Sequence, residues 1–369
     1  LTAPALQVLA GPRALAHLRE RGLTPADVRA VPGAAGGPKG LVLNPLDRFI
    51  FGHWLAAAPQ TVHLLGASIG AWRLACACLP DADAALAQLA DDYITQHYDH
   101  APGKMPTARE VSASFGRKID VRLGARAAEV LSHPTRRLHV FTSRGRHLLG
   151  REGRIRTPLG YMAAFVANAA SRRALGVWLE RVVFGDPRDA LPFPLSDYRS
   201  RQVDLTVQNL AAAVLASCSI PLWLDAVHDI PGAPRGAYWD GGITDYHLHL
   251  NYAAMGEGLV PGWGGGPGLV MYPHFQSQVV PGWLDKAWKQ RHRASPALSN
   301  VIVLAPNPEW IRTLPGGKLP DRGDFKAWGE DVAGRQRAWR RALAESQRLA
   351  DEFAELVVSQ RPIEARPLA

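Results

Sequence analysis

The run Thr61-Val62-His63-Leu64-Leu65 leads straight into Gly66-Ala67-Ser68-Ile69-Gly70 and then into a helical stretch reaching about Leu79. A run this short and apolar, closed by glycine, reads as a strand buried on both faces. A strand, a glycine-flanked turn and a helix in immediate succession form the unit from which α/β folds are built. Four more runs have the strand form: Asp27-Val28-Arg29-Ala30-Val31, Leu138-His139-Val140-Phe141-Thr142, Gly268-Leu269-Val270-Met271-Tyr272 and Asn300-Val301-Ile302-Val303-Leu304. Helical patterns over 81–98, 158–183 and 207–215 lie between them. Short apolar strands alternating with helices predict an α/β chain with a largely parallel, buried sheet.

The remaining segments are less regular. The first 30 residues read as helical, with a turn at Gly22 and Pro25. Residues 101–131 are irregular and increasingly basic, and 186–194 is a proline-punctuated loop. The glycine-rich stretch 262–268 reads as a flexible loop. Over 324–359, Trp328, Val332, Trp339, Leu343, Ala350, Phe353 and Val357 fall on one face of a single long helix, expected to pack on the core. With no internal repeat and no long linker, the chain is expected to form one domain over 1–369. Its core runs over about 28–305, with a helical insertion at about 150–200 and a C-terminal helix at about 324–359.

Composition excludes several classes. With 47 % apolar and 20 % charged residues in 369, the chain is too apolar to be disordered and long enough for a sizeable core. No apolar run reaches the roughly 18 residues of a spanning helix. The best, 210–224, is interrupted by Ser217, Ser219 and Pro221. The opening Leu1-Thr2-Ala3-Pro4 lacks a basic-then-apolar leader pattern. Cys76, Cys78 and Cys218 lack metal-ligand spacing and read as small buried residues in a reducing compartment. The expected location is the cytoplasm, with room for peripheral membrane contact. The net charge of +9 is local: residues 117–156 hold eleven basic and three acidic residues, a net of +8. Such a segment can face phosphates or be a plain solvated surface.

Three motifs carry chemistry. Gly66-Ala67-Ser68-Ile69-Gly70, between a strand and a helix, has the setting of a nucleophile elbow, although a simple serine-capped junction shares the pattern. Gly36-Gly37-Pro38-Lys39-Gly40, also after a strand, can turn backbone N–H groups toward an anion. Pro38 has no N–H, so the donors are Gly36, Gly37, Lys39 or Gly40. No Gly-Lys-Ser/Thr closes a nucleotide P-loop. Asp240-Gly241-Gly242 follows a strand-like run and places a carboxylate on a mobile turn, or is a plain Asp-Gly turn.

In this order, with Leu215-Ala216-Ser217-Cys218-Ser219-Ile220-Pro221-Leu222 between serine and aspartate, the set resembles the bacterial type of the patatin-like phospholipase family. Asp240-Gly241-Gly242-Ile243-Thr244-Asp245 resembles that family's Asp-Gly-Gly strand end and later acid. The family's usual loop arginine is Lys39 here. The resemblance implies a three-layer α/β/α fold with a mainly parallel sheet and helical insertions. It implies lipid acyl hydrolysis by a Ser–Asp dyad, Ser68 the nucleophile and Asp240 the base. Gly36, Gly37, Lys39 and Gly40 then form the oxyanion hole. No cofactor and no metal are implied. The implied partners are a lipid ester substrate and an anionic membrane surface met peripherally, not nucleic acid.

Alternatives stay open at this level. The same dyad can serve acyl transfer or thioester cleavage. His247 or His249, oriented by Asp225, Asp240 or Asp245, can complete a Ser–Asp–His triad. A basic, non-catalytic lipid- or nucleic-acid-binding protein is a further class, motivated by the +8 segment. Part of that segment is expected at the rim of the active-site mouth. The 150–200 insertion and the 262–268 loop are candidate lids, and Trp263, Trp283 and Trp288 are candidate contacts with lipid.

Overall fold

The computed structural model describes residues 3–97, 106–255, 267–359 and 362–369. The strands are β1 (Leu6–Ala10), β2 (Val28–Gly33), β3 (Val62–Ala67), β4 (Arg136–Gly145), β5 (Leu179–Gly185), β6 (Ser200–Asp204), β7 (Val227–His228), β8 (Ala237–Trp239), β9 (Leu269–Pro273), β10 (Val301–Pro306) and β11 (Arg366–Pro367). They form one sheet in the order β11-β1-β10-β9-β2-β3-β4-β5-β6, with β8 paired to β4 and to β7. The centre is parallel: β10, β9, β2, β3 and β4 all run the same way. Antiparallel pairs join β1 to β10 and β5 to β4.

Alternation along the central strands divides the core into two layers. Val62 and Leu64 of β3 face one apolar cluster, and Leu65 and Ala67 face the other. Ile302 and Leu304 of β10 share the first, while Val301, Val303 and Ala305 share the second. The period-2 geometry of a strand therefore makes apolar runs serve two faces at once. The helices Ile69–Ala77, Leu210–Cys218 and Gln347–Val358 cover the first face. Short helical turns and loops cover much of the second, and the result is the expected α/β sandwich with a mostly parallel sheet.

Several segments differ from their sequence reading. Leu6–Ala10 is a strand, because the distant β10 supplies a ladder that local pattern cannot reveal. It extends the sheet below residue 28. Within 101–131 the described residues are helical, not irregular. Thr107 and Glu110 form a reciprocal capping box that starts the helix Ala108–Ile119. The helical pattern of 158–183 ends at Leu175, and β5 follows as a full partner of β4. Only the first half of the insertion is thus helical.

The tail is three helices, Gly323–Trp328, Val332–Glu345 and Gln347–Val358. Gly329, at φ +51°, breaks it first, and Ser346 turns its hydroxyl back to the Ala342 carbonyl at the second break. The apolar face survives: Trp339, Ala350, Phe353 and Val357 are buried, and Phe353 packs edge-on against Phe49 and Trp54. Trp328 is left exposed. The three cysteines are free and buried. Among the described residues no helix is long and apolar enough to cross a membrane.

Candidate active site

Ser68 sits where β3 meets the helix Ile69–Ala77, at φ +56° and ψ −129°. A non-glycine residue reaches this region only when its surroundings over-determine it. The two glycines make the turn sterically possible. A β-carbon on Gly70 would lie 1.9 Å from the Gly33 carbonyl oxygen, and one on Gly66 would lie 2.3 Å from Ala71 Cα. Helix and strand are therefore in near backbone contact. Ser68 N–H donates to Ser217 Oγ at 2.8 Å, and Ser217 Oγ–H donates to the Phe141 carbonyl at 2.7 Å. Ser217 thereby ties the elbow to β4 with both its donor and its acceptor capacity.

Asp240 follows β8. Its amide donates to the Ser219 carbonyl at 2.9 Å, and Gly241 N–H donates to the Ser217 carbonyl at 3.1 Å. One carboxylate oxygen accepts the Ser68 hydroxyl at 2.7 Å, and the other accepts Gly242 N–H at 2.7 Å. The glycines do not supply mobility, as the sequence reading had it. A β-carbon on Gly241 would lie 2.0 Å from the Phe141 carbonyl oxygen, and one on Gly242 would lie 2.5 Å from Ala35 Cβ. They let the turn close onto β4 and onto the glycine loop, which immobilises the carboxylate. Burial raises the Asp240 pKa from its ordinary value, against the pull of Arg322, the Ser68 hydroxyl and Gly242 N–H.

The glycine loop is divided. Gly36 and Lys39 line the cavity that holds Ser68 and Asp240. Gly37 and Gly40 line a neighbouring crevice with Asn44 and Arg73. Residues Gly37–Leu43 coil into a 3-10 turn, which leaves its first N–H groups without partners inside the turn. Gly37 needs its glycine for φ +58°, and a β-carbon on Gly36 would lie 2.5 Å from the Phe275 ring.

A family model described as patatin-like phospholipase matches residues 53–247, more than half of the chain and a span that contains both Ser68 and Asp240. The chain belongs to the patatin-like phospholipase family. The glycine loop at 36–40 lies outside the matched span. Among solved structures, VipD from Legionella pneumophila is similar at 12 % identity and a TM-score of 0.40, over 95 % of this chain and 71 % of that one. No curated protein matches the chain. Membership implies lipid acyl hydrolase chemistry.

In this patatin-like chain the cavity around Ser68 has a volume of about 280 Å³. Ile220, Pro221, Ile243, Tyr246 and Trp283 give it an apolar wall. Its cations are Lys39, Lys286 and Arg322, none of them from 117–156. No residue of the basic segment lines the cavity, and four of its arginines are held in ion pairs. Arg122 pairs with Asp92, Arg126 with Asp81 and Glu129, Arg137 with Asp189 and Arg144 with Glu180. Arg136 donates to the carbonyls of Ala77 and Phe51.

No histidine among the described residues lines the Ser68 cavity. His247 is fully buried, and its Nδ1 accepts Val280 N–H at 2.9 Å. His249 lies beside Ser295. Asp245 is buried in an ion pair with Arg181 at 2.5 Å, and the Asp225 amide is held by Ser112 Oγ at 2.8 Å. Trp283 lines the cavity and is half-exposed, while Trp288 stacks on Phe165. Trp263 and residues 262–266 of the glycine-rich loop lie outside the described residues.

Sequence reasoning missed Ser217, Arg322 and Lys286 as parts of the site. Ser217 stood within a motif already singled out, so its role was within reach. Arg322 and Lys286 have no motif around them, and only the chain's folding back brings them to the cavity.

Proposed function

We propose that the protein is a serine acyl hydrolase that cleaves ester bonds of phospholipids or other lipid esters through a Ser68–Asp240 dyad, carried on a single domain. The observation that carries this reading is the 2.7 Å hydrogen bond from Ser68 Oγ to a buried carboxylate, made by a serine at positive φ. Neutral serine is a weak nucleophile and needs a base within hydrogen-bond reach. Asp240 takes the hydroxyl proton as Ser68 Oγ attacks the ester carbonyl. The oxyanion then develops beside the start of the glycine loop, where the amides ahead of the 3-10 bonds, those of Gly36 and Gly37, are the donors, while those of Lys39 and Gly40 lie within the turn. Collapse of the tetrahedral intermediate breaks the ester C–O bond, and the departing alkoxide takes the proton from Asp240. Water, deprotonated by Asp240, attacks the acyl-serine and returns Ser68 to its hydroxyl form.

Peripheral contact with an anionic lipid surface belongs to the same reading. Ile155, Leu159, Met162 and Val166 are exposed at intervals of 4, 3 and 4 residues, on and just before the helix Arg156–Ala170. Exposed Arg151 and Arg154 adjoin them. An apolar stripe beside cations is the pattern of a helix lying in the headgroup region.

A fluorophosphonate probe is expected to label the wild-type protein on Ser68 and to leave Ser68→Ala unlabelled, with lipid ester turnover lost in parallel. Failure of a folded wild-type protein to label would refute the hydrolase reading.

A further inference from the structure

A second cavity of about 440 Å³ adjoins the one that holds Ser68. Lys39, Tyr246 and Lys286 line both, so they form a shared wall between the two spaces. Beyond that wall the second cavity presents Lys289, His292, Gln276 and Gln278. Its size is that of a small-molecule site, which runs from roughly 300 to 1,000 Å³. Three ammonium groups and two side-chain amides face it, and among the described residues no carboxylate lines it. Lys39, Lys286 and Lys289 have no ion-pair partner among the described residues, in contrast to the arginines of 117–156 that pair with acids.

The wall lysines are positioned by rings instead. Lys286 Nζ lies 4.0 Å from the Tyr246 ring centroid, and Lys39 Nζ lies 5.4 Å from that of Phe275. His292 Nε2 donates to the Asp285 carbonyl at 2.9 Å, which leaves the other ring nitrogen as its remaining polar atom. Loss of water around the Lys286 ammonium, together with the neighbouring charges of Lys39 and Arg322, pushes its pKa down to about 8. The cations thus repel one another across a shared space, and an anion between them would relieve that repulsion.

We propose that this second cavity is a headgroup subsite that takes a phosphate carried by the substrate lipid, so that anionic glycerophospholipids are preferred to zwitterionic and neutral esters. The inference rests on the hydrolase reading above, because the wall lysines border the Ser68 cavity as well. The two non-esterified oxygens of a lipid phosphodiester can accept from more than one ammonium donor. A ligand spanning the wall places its ester at Ser68 and its phosphate among Lys39, Lys286 and Lys289. A choline or ethanolamine cation following that phosphate would enter a positively charged space and be disfavoured.

Two measurements test it. In the first, folded Ser68→Ala protein is titrated calorimetrically with sn-glycerol 3-phosphate, glycerol and inorganic phosphate. Saturable binding of glycerol 3-phosphate is expected, tighter than inorganic phosphate, with none for glycerol. It should be lost in the added Lys286→Gln/Lys289→Gln pair and retained with Lys286→Arg. In the second, kcat/KM of the wild type is compared on monomeric dihexanoyl phosphatidylglycerol and dihexanoyl phosphatidylcholine. A preference of roughly tenfold for the anionic lipid is expected, as for one charge-assisted contact, falling toward parity in the lysine pair. Should the pair fail to fold, Lys289→Gln alone, at an exposed position, is expected to lower the preference.

Equal turnover of the two lipids without glycerol 3-phosphate binding would overturn the subsite and leave the hydrolase reading standing. Inorganic phosphate bound as tightly as glycerol 3-phosphate, with no lipid preference, would mark a free-phosphate site and overturn the headgroup role. Phosphate binding without turnover of any ester or probe labelling would sink the hydrolase reading and the headgroup role with it.

Discussion

At the scale of single residues, the chemistry depends on what surrounds one carboxylate. In the proposed dyad Asp240 must be ionised to accept the Ser68 proton, and burial raises its pKa above the usual 3.8. Protonation removes the base, so kcat/KM on a neutral ester is expected to fall as pH drops through a midpoint above the ordinary Asp value. Asp240→Asn should abolish that limb and lower kcat by ~10²–10⁴-fold, the usual contribution of a positioned base. A pH–rate profile of both proteins checks this. Ser217 is the second case. Ser217→Ala leaves the Ser68 amide and the Phe141 carbonyl without the hydroxyl that joins them. One buried group left unsatisfied costs about 1–3 kcal/mol. Urea unfolding should show that loss, and kcat should fall because the elbow loses its tie to β4.

Between elements, close backbone approach is the governing constraint. The helix Ile69–Ala77 lies so near β2 that Gly70 has no room for a methyl group. Gly70→Ala is expected to destabilise by more than about 4 kcal/mol, since backbone must move rather than a flexible side chain. Thermal unfolding and soluble yield measure this, and a stable variant would contradict the packing. On the helix Arg156–Ala170, changing Leu159, Met162 and Val166 together to Ser should leave the melting temperature within a few degrees, because all three are exposed. The ratio of vesicle to monomeric-ester turnover should fall in the triple variant, as measured with vesicles rich in anionic lipid. An unchanged ratio would remove this helix from the proposed lipid contact.

Over the whole molecule, buried histidines set the response to acid. His63 and His139 stack within the sheet with ring nitrogens 3.0 Å apart, and His247 and His274 pack together elsewhere. Burial holds His63 down to about 4 and His274 to about 3, and lowers His139 and His247 as well. In the unfolded chain each takes up a proton near pH 6.5. The unfolded state therefore binds more protons between about pH 6.5 and 4, and stability falls as pH drops through that window. Above it these histidines are neutral in both states and stability is flat on their account. Urea midpoints at about pH 7.5, 6 and 5 should decline in that order. Charge also reads differently at this scale. About half of the +8 of residues 117–156 is matched by acids elsewhere in the fold, Asp92, Asp81, Asp189 and Glu180. Among the described residues the cations facing the cavities are Lys39, Lys286, Lys289 and Arg322.

The sequence alone determined the α/β class, the five central strands and the turn at Ser68, because strand burial and glycine-bounded turns are local and leave a local pattern. It also singled out Asp240, which its two glycines mark. The capping box at Thr107 and Glu110 was legible too, but the basic residues around it obscured the helix. Tertiary structure alone decided that Leu6–Ala10 is a strand, since its ladder partner β10 lies about 300 residues away. It decided the meaning of Gly241 and Gly242, which is room for neighbouring backbone. It also brought Lys286 and Arg322 to the cavity. Coulombic and steric relations act through space, and residues far apart in the chain carry no mark of one another until folding makes them neighbours.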